Sequence, residues 1–212
     1  EMLDVSDNDI ALDLLTGVAS LGQEALSTFA EMYIAYFDRA PDAEGLFYWG
    51  TRLNDGMSLQ EIAASFFVQP ETVALYPDAN DNAGLVTAVY QNVLGRDPDA
   101  EGFEYWTGEL ANGNVQRPEF MLAIISGAKA ETGSPADAKY LADKAKIGLS
   151  YAAIEGLNDV DNAKTVMGAF DGTEGSLASA KGLIDGFADA AEADTGEMVL
   201  SLVGIVDDPF AV

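Results

Sequence analysis

The sequence predicts an all-α protein in which two tandem helical repeats pack with a C-terminal helical layer. The segment 38–49 returns 57 residues later as 95–106, and 11 of 24 positions are identical between 33–56 and 90–113 without a gap. Ala, Leu, Glu and Asp are abundant, and no long alternating run of Val, Ile and Thr indicates a strand. One such repeat cannot bury its apolar face alone, so the copies should pack on each other or on the later part of the chain.

Apolar spacing and capping signals predict helices along most of the chain. In order, they cover 9–19, 22–36, 42–54, 58–67, 70–75, 83–94, 99–111, 117–126, 136–154, 160–170, 176–193 and 197–206. Ser58 with Glu61 forms a capping box, and Pro70 and Pro118 suit first-turn positions. The segments 54–56 and 112–114 hold the Gly and Asn residues that favour helix C-caps.

These helices divide into three regions. Residues 1–21 are an N-terminal helical segment, and 22–128 hold the two repeats, at 22–68 and 83–128. Residues 136–212 form a C-terminal helical region that can be continuous with the repeats. The repeats use only Arg as a base, whereas all six Lys lie from Lys129 onward, and 132–135 is typical of a short linker.

The repeated motif predicts a tight helix–turn–helix corner. Pro41 ends the preceding helix, and Asp42 then caps the next one. Gly45 falls in that helix's first turn, where glycine is costly, which indicates close approach of a backbone or an aromatic ring. Tyr33 on the preceding helix should meet this helix, and Arg39 should close the turn, near the carboxylates after it and the last carbonyls of the helix before it. The second copy places the same residues at Tyr90, Arg96, Pro98, Asp99 and Gly102.

Two interpretations of the motif remain open. In the structural one, its Trp and Tyr are core and its Arg is a tie. In the functional one, the aromatic rings stack on sugar rings while Arg and Asp bind hydroxyls. The candidate ligand-binding residues are then Arg39, Asp42, Tyr48, Trp49, Arg96, Asp99, Tyr105 and Trp106. Glycan binding requires at least one partly exposed indole, so complete burial of both would exclude it.

The charge of the chain limits its partners. Thirty-six Asp and Glu against ten Lys and Arg give a net charge of −26. Such a chain repels nucleic acid and anionic lipid, so we exclude nucleic-acid binding. No apolar run approaches the ~20 residues that span a bilayer, which argues against membrane insertion. The charge alone is also typical of a solvated acidic surface.

Calcium is the cofactor that this acidity favours, because it binds carboxylate and carbonyl oxygens. Asp78, Asn80 and Asp81 are the candidate ligands, in a loop that spaces the side-chain oxygens of Asp78, Asn80 and Asn82 at positions 1, 3 and 5. The loop is not an EF-hand, because its glycine is at position 7 and Val89 stands at position 12. A turn or helix cap explains the same residues.

The sequence predicts no catalytic activity. Cys and His are both absent, which removes disulfides, thiol nucleophiles and every Ser-His-Asp arrangement. With 36 carboxylates some close pair is inevitable, so a pair carries no information.

The repeated pattern Arg-x-Pro-Asp-Ala-Glu-Gly-Phe/Leu-x-Tyr-Trp resembles the bacterial domain-of-unknown-function family 4214, in two copies over about 22–128. The resemblance implies an exported helical module at the bacterial cell surface with no established catalytic activity. We expect export without a cleaved N-terminal signal, and attachment to envelope polysaccharide or to other surface proteins in a surface-layer-type assembly. A spacer or protein–protein interaction domain of a larger exported protein is one alternative, and a calcium-responsive domain is another. The chain lacks Gly-Gly-x-Gly-x-Asp repeats, so no calcium-driven β-roll is implied.

Overall fold

The computed structural model describes residues 2–5, 8–11, 17–191 and 207–210. The first of these form a small antiparallel pair of strands, β1 (Met2–Val5) and β2 (Asn8–Ala11). The helix predicted from residue 9 is therefore wrong at 9–11, and the N-terminal segment is helical at 17–19. Leu3 lies opposite Ile10 in the register. Such a pairing is a contact between two strands, and the helical spacing of the apolar residues does not reveal it.

From residue 23 the described chain is helical, which confirms the all-α class. The helices are α1 (Gln23–Phe37), α2 (Ala43–Asn54), α3 (Leu59–Phe67), α4 (Pro70–Leu75), α5 (Asn82–Leu94), α6 (Ala100–Ala111), α7 (Arg117–Lys129), α8 (Pro135–Leu149), α9 (Val160–Gly168) and α10 (Glu174–Ala190). A π-helical turn, Ser150–Ile154, extends α8. The predicted helix 197–206 lies outside the described residues.

The helix boundaries correspond between the two motif-bearing segments at the sequence offset of 57. Helices α2 and α6 match at both ends, and α1 and α5 match at their C-terminal ends. The residue after each first helix is left-handed, with φ 50° at Asp38 and φ 68° at Gly95. We call helices α1–α3 unit 1 and helices α5–α7 unit 2.

The predicted caps start the helices. Asp42 Oδ1 accepts from the Gly45 amide at 2.7 Å, and Asp99 Oδ1 accepts from the Gly102 amide at 2.8 Å. Both halves of the capping box of Ser58 and Glu61 are present at the start of α3. Each motif therefore enters its second helix through a side-chain cap that the sequence shows directly.

The motif glycines allow a tyrosine of the preceding helix to approach the first turn of the next helix, as the presence of glycine in that turn predicted. A Cβ atom on Gly45 would clash with the hydroxyl oxygen of Tyr33, and one on Gly102 would lie 2.7 Å from that of Tyr90. Tyr33 is 2% exposed, so its ring has little room to move. Glycine at this position lets the first helix of each unit pack its tyrosine against the first turn of the second.

Helix α8 joins the C-terminal half to the repeats, as the sequence predicted. It contacts α1, α5 and α7, which precede it in the chain, and α9 and α10, which come after it. A Cβ on Gly148 would stand 3.1 Å from that of Ala30, so α8 and α1 approach closely there. One hydrophobic cluster includes Phe29, Phe120 and Tyr151, and so runs through both halves. Among the described residues, no helix is long and apolar enough to cross a membrane.

Buried charges connect these helices. Lys144 on α8 donates from Nζ to the Asn92 carbonyl at 2.9 Å and lies 3.7 Å from Asp38 Oδ1. Burial lowers the pKa of Lys144. Glu31 on α1 accepts from Lys129 Nζ at 2.9 Å, and burial raises the pKa of Glu31. Each of these charges has a partner on a different helix, so the charges help to fix how the helices pack.

Replacing Gly45 with Ala should destabilise the protein by about 1–3 kcal/mol, because the added methyl overpacks the Tyr33 hydroxyl. Gly108→Ala is the matched control in α6, where a Cβ meets nothing within 4 Å. That variant should gain up to about 1 kcal/mol of helix propensity. Urea unfolding of both variants measures the effect, and equal stability of the two would show that Tyr33 does not constrain Gly45.

Glu31→Gln tests the buried pair through its pH dependence. Because the folded pKa of Glu31 is raised, its contribution to stability is complete below the ordinary pKa of a glutamate. That contribution is lost as pH rises through the folded pKa. The free energy of unfolding of the wild type minus that of Glu31→Gln should therefore fall as pH rises above about 4. In a Lys129→Gln background the same difference should go on falling to higher pH, because Lys129 lowers the folded pKa of Glu31. A difference that rises with pH would contradict a raised pKa for Glu31.

Candidate functional site

The motif arginine of unit 1 is a buried tie. Arg39 donates from Nε and Nη2 to the two oxygens of Glu71, at 2.9 and 3.1 Å. Its Nη1 donates to Asp42 Oδ2 and to the Ala40 carbonyl, both at 2.9 Å. The side chain is 7% exposed and its guanidinium lies 5.1 Å from the centre of the Tyr33 ring. The carboxylate of Asp42 thus caps α2 and holds Arg39 at once.

The motif arginine of unit 2 makes the corresponding bonds nearer to solvent. Arg96 donates from Nε and Nη2 to the two oxygens of Asp137, at 3.0 and 2.7 Å, and lies 3.7 Å from Asp99. Its side chain is 40% exposed. Both motif arginines therefore bind the cap of the next helix, as predicted. The carbonyls they reach, however, are those of Ala40 and Asp97 in the turn, so our placement of them against the preceding helix is wrong.

Sequence reasoning missed the second carboxylate in each unit. Glu71 lies in the first turn of α4 and Asp137 in the first turn of α8, and both helices begin with proline. The signal was visible as an acid within three positions of a first-turn proline. What the sequence could not show is which arginine each acid meets, since the partners are 32 and 41 residues apart.

The two aromatic residues of each motif have different environments. Trp49 is half-buried with its ring 5.1 Å from Phe66, and Trp106 is half-buried with its ring 5.2 Å from Phe120. The preceding tyrosines are exposed, at 41% for Tyr48 and 56% for Tyr105. Each tyrosine stands edge-on to its tryptophan at 5.0 Å. Neither indole is fully buried, so the condition that glycan binding sets is met.

A cavity of about 300 Å³ opens beside Trp49. Its apolar wall is formed by Trp49, Tyr33, Phe37 and Pro70, and its polar lining by Arg39, Gln69 and Glu71. Of the predicted ligand-binding residues, Arg39 and Trp49 line it directly. Asp42 acts through Arg39, and Tyr48 adjoins it through Trp49.

The motif arginine of unit 2 lines a cavity of different composition. Arg96 lines a space of about 340 Å³ together with Asp137, Lys139, Tyr140 and Asp143. Trp106 is not part of this lining. In the same unit, burial raises the pKa of Tyr90. The repeated motif is thus set in two different surroundings.

The candidate calcium loop is occupied by hydrogen bonds of its own. Asp78 Oδ1 accepts from the Asn80 amide at 2.8 Å, and Asp81 Oδ1 accepts from the Gly84 amide at 2.7 Å as the cap of α5. Arg117 Nη1 and Nη2 donate to the carbonyls of Asp78 and Asp81 at 3.0 and 2.6 Å. Within the described ranges, no three acidic side chains cluster in a way that could hold a metal ion. A calcium ion at these carbonyls would therefore have to displace the guanidinium.

The fold and the motif define a helical module organised by arginine, carboxylate and aromatic contacts. Residues 63–132 match a domain of unknown function, DUF4214. The chain therefore contains a domain of this family, as the motif indicated. The match starts within α3 and includes the second copy of the motif, whereas the first copy lies before it, so two tandem copies stay a prediction. No curated protein and no solved structure matches this chain.

Calcium and magnesium should raise the melting temperature equally, because Arg117 already binds the loop carbonyls and both cations screen the net charge of −26. The measurement is a thermal melt in chelator and then in each salt at equal ionic strength. A rise specific to calcium would contradict this expectation. Loss of that rise in Asp78→Ala would then place the ion in the loop.

Proposed function

We propose that this protein is a non-catalytic module of an exported bacterial surface protein and that it attaches to envelope glycan through its motif faces. The exposure of the motif tyrosines carries the proposal. Tyr48 and Tyr105 occupy the same position in the two motif copies, and both rings face solvent while the tryptophans beside them pack inward. Core packing accounts for the tryptophans and leaves the paired tyrosines unexplained.

The bonding around the motif supports a binding role over a catalytic one. Arg39 and Arg96 are each held by two carboxylates, which is the arrangement of a structural tie. An exposed aromatic ring next to hydrogen-bonding side chains is suited to stacking on a sugar ring. Two such rings, one in each unit, suit a polymer that repeats the same chemical group, since linked contacts strengthen binding beyond either one.

Three further parts of the proposal rest on sequence features. Export and a cell-surface location are inferred from the resemblance of the repeated motif, together with an acidic chain that holds no cysteine. Two tandem copies of the family's domain are supported by the matching boundaries of α2 and α6. Assembly with other surface proteins is the competing form of attachment, and it requires a protein partner in place of a glycan.

Replacing both tyrosines tests the proposal. Tyr48→Ala with Tyr105→Ala should weaken binding to immobilised bacterial lipopolysaccharide and extracellular polysaccharide at least tenfold, since stacking is lost at both faces. Tyr48→Phe with Tyr105→Phe keeps both rings and should bind nearly as the wild type. Surface plasmon resonance measures the binding, and circular dichroism checks that both variants fold.

Two outcomes would contradict the proposal. Equal binding by the Ala pair and the Phe pair would remove the tyrosines from the site. Absence of binding by the wild type to every polysaccharide would favour a spacer, and self-association detected by sedimentation in the same samples would favour a surface assembly.

A further inference from the structure

We infer that the cavity beside Trp49 binds one uncharged sugar ring, an inference that rests on the proposed glycan attachment and adds to it a ring-binding cavity in unit 1. The cavity is bounded by α1, α2 and the start of α4. Its volume of about 300 Å³ lies at the lower end of the range for small-molecule sites. A pocket of this size suits a single sugar ring, and the rest of the glycan would then pass over Tyr48.

The cavity exists in unit 1 because the chain bends there. Helix α3 ends at Phe67 and a separate helix, α4, begins at Pro70, and Gln69 and Pro70 at this break line the cavity. In unit 2 the corresponding helix, α7, runs on to Lys129. By the offset of 57, that end corresponds to position 72, so unit 2 has no bend at the equivalent place.

The lining combines an aromatic wall with unfilled hydrogen-bonding capacity. A guanidinium has five N–H donors. Four of those of Arg39 reach Glu71, Asp42 and Ala40, and the fifth, on Nη2, has no acceptor within the described part of the chain. Gln69 Nε2 donates to the Ser65 carbonyl at 3.1 Å, which leaves its amide oxygen as an acceptor. One donor and one acceptor beside an indole face match the hydroxyls and the apolar face of a sugar ring.

The charges around the cavity select against an acidic ring. Arg39 is paired with Asp42 and Glu71, and Lys164 lies 3.8 Å from Glu71. These cations are therefore neutralised inside the protein, and the whole chain carries −26. A carboxylate in the ligand would face Glu71 and the negative field of the protein. Arg52 forms no ion pair among the described residues, and its guanidinium lies 5.0 Å from the centre of the Tyr48 ring.

Tryptophan fluorescence can report on each unit separately, because Trp49 and Trp106 are the two tryptophans of the sequence. Trp106→Phe leaves Trp49 as the sole indole, at the cavity. Trp49→Phe leaves Trp106 as the matched reporter in unit 2. The probes are neutral trisaccharides built of glucose, galactose, mannose or rhamnose, with trigalacturonic acid as the acidic counterpart.

At least one neutral trisaccharide should change the fluorescence of Trp106→Phe saturably and leave that of Trp49→Phe unchanged. Adding Gln69→Ala to Trp106→Phe should weaken this binding at least tenfold. Adding Gln60→Ala instead, at an exposed glutamine of α3, should not change it. Trigalacturonic acid should give no response in either background.

No response of Trp49 to any neutral probe would overturn the inference, as would tighter binding of trigalacturonic acid. Abolition of the acidic response by Arg52→Gln would then assign the site to an anionic sugar at Tyr48. If polysaccharide binding depends on the two tyrosines while Gln69→Ala and the fluorescence of Trp49 show no effect, the cavity fails and the proposed function stands. Absence of any polysaccharide binding would contradict both the cavity inference and the proposed function.

Discussion

The buried ammonium group of Lys144 is the interaction on which the arrangement of unit 1, unit 2 and α8 depends. It donates to the Asn92 carbonyl in the last turn of α5 and faces Asp38 at the C-terminal end of α1. The C-terminal ends of helices carry unsatisfied carbonyls and partial negative charge, so one cation on α8 serves the corresponding helices of both units. The same helix, α8, also packs closely on α1, because a Cβ on Gly148 would stand 3.1 Å from that of Ala30. The Lys144 side chain is therefore buried between helices and not on the protein surface.

The two copies of the motif have different surroundings because different helices supply the second carboxylate to their arginines. Arg39 receives its second carboxylate, Glu71, from the first turn of α4, and its side chain is only 7% exposed. Arg96 receives its carboxylate, Asp137, from α8, and its side chain remains 40% exposed. The local geometry of the corner is set by the motif itself, through the cap and the glycine. Exposure and cavity shape are set by whichever helix comes next, and this is where the two units differ.

The sequence predicted the features that depend on neighbours along the chain. The helices, the caps at Asp42 and Asp99, and the approach of Tyr33 to Gly45 all result from spacing within one motif. The pair of strands at 2–5 and 8–11 was missed because four-residue strands leave no lasting periodicity, and strand pairing can override helical spacing. The role of Lys144 was missed for a related reason. A lysine in an amphipathic helix is typical of a solvated face, and only the tertiary packing shows that its ammonium meets the end of another helix 52 residues away.

The scarcity of cations links stability to the kind of ligand that the surface can accept. All ten basic residues lie between residues 39 and 181, and eight of them form ion pairs within the described chain. Arg117 binds backbone carbonyls, and Arg52 lies over an aromatic ring. Most of the positive charges are therefore already engaged within the protein, and most carboxylates of the described chain are at least partly exposed. A surface of this kind has little means of attracting an anionic polymer by charge, so the glycan attachment that we propose depends on ring stacking and hydroxyl hydrogen bonds. The exposed tyrosines and the cavity beside Trp49 are the features on which that proposal draws.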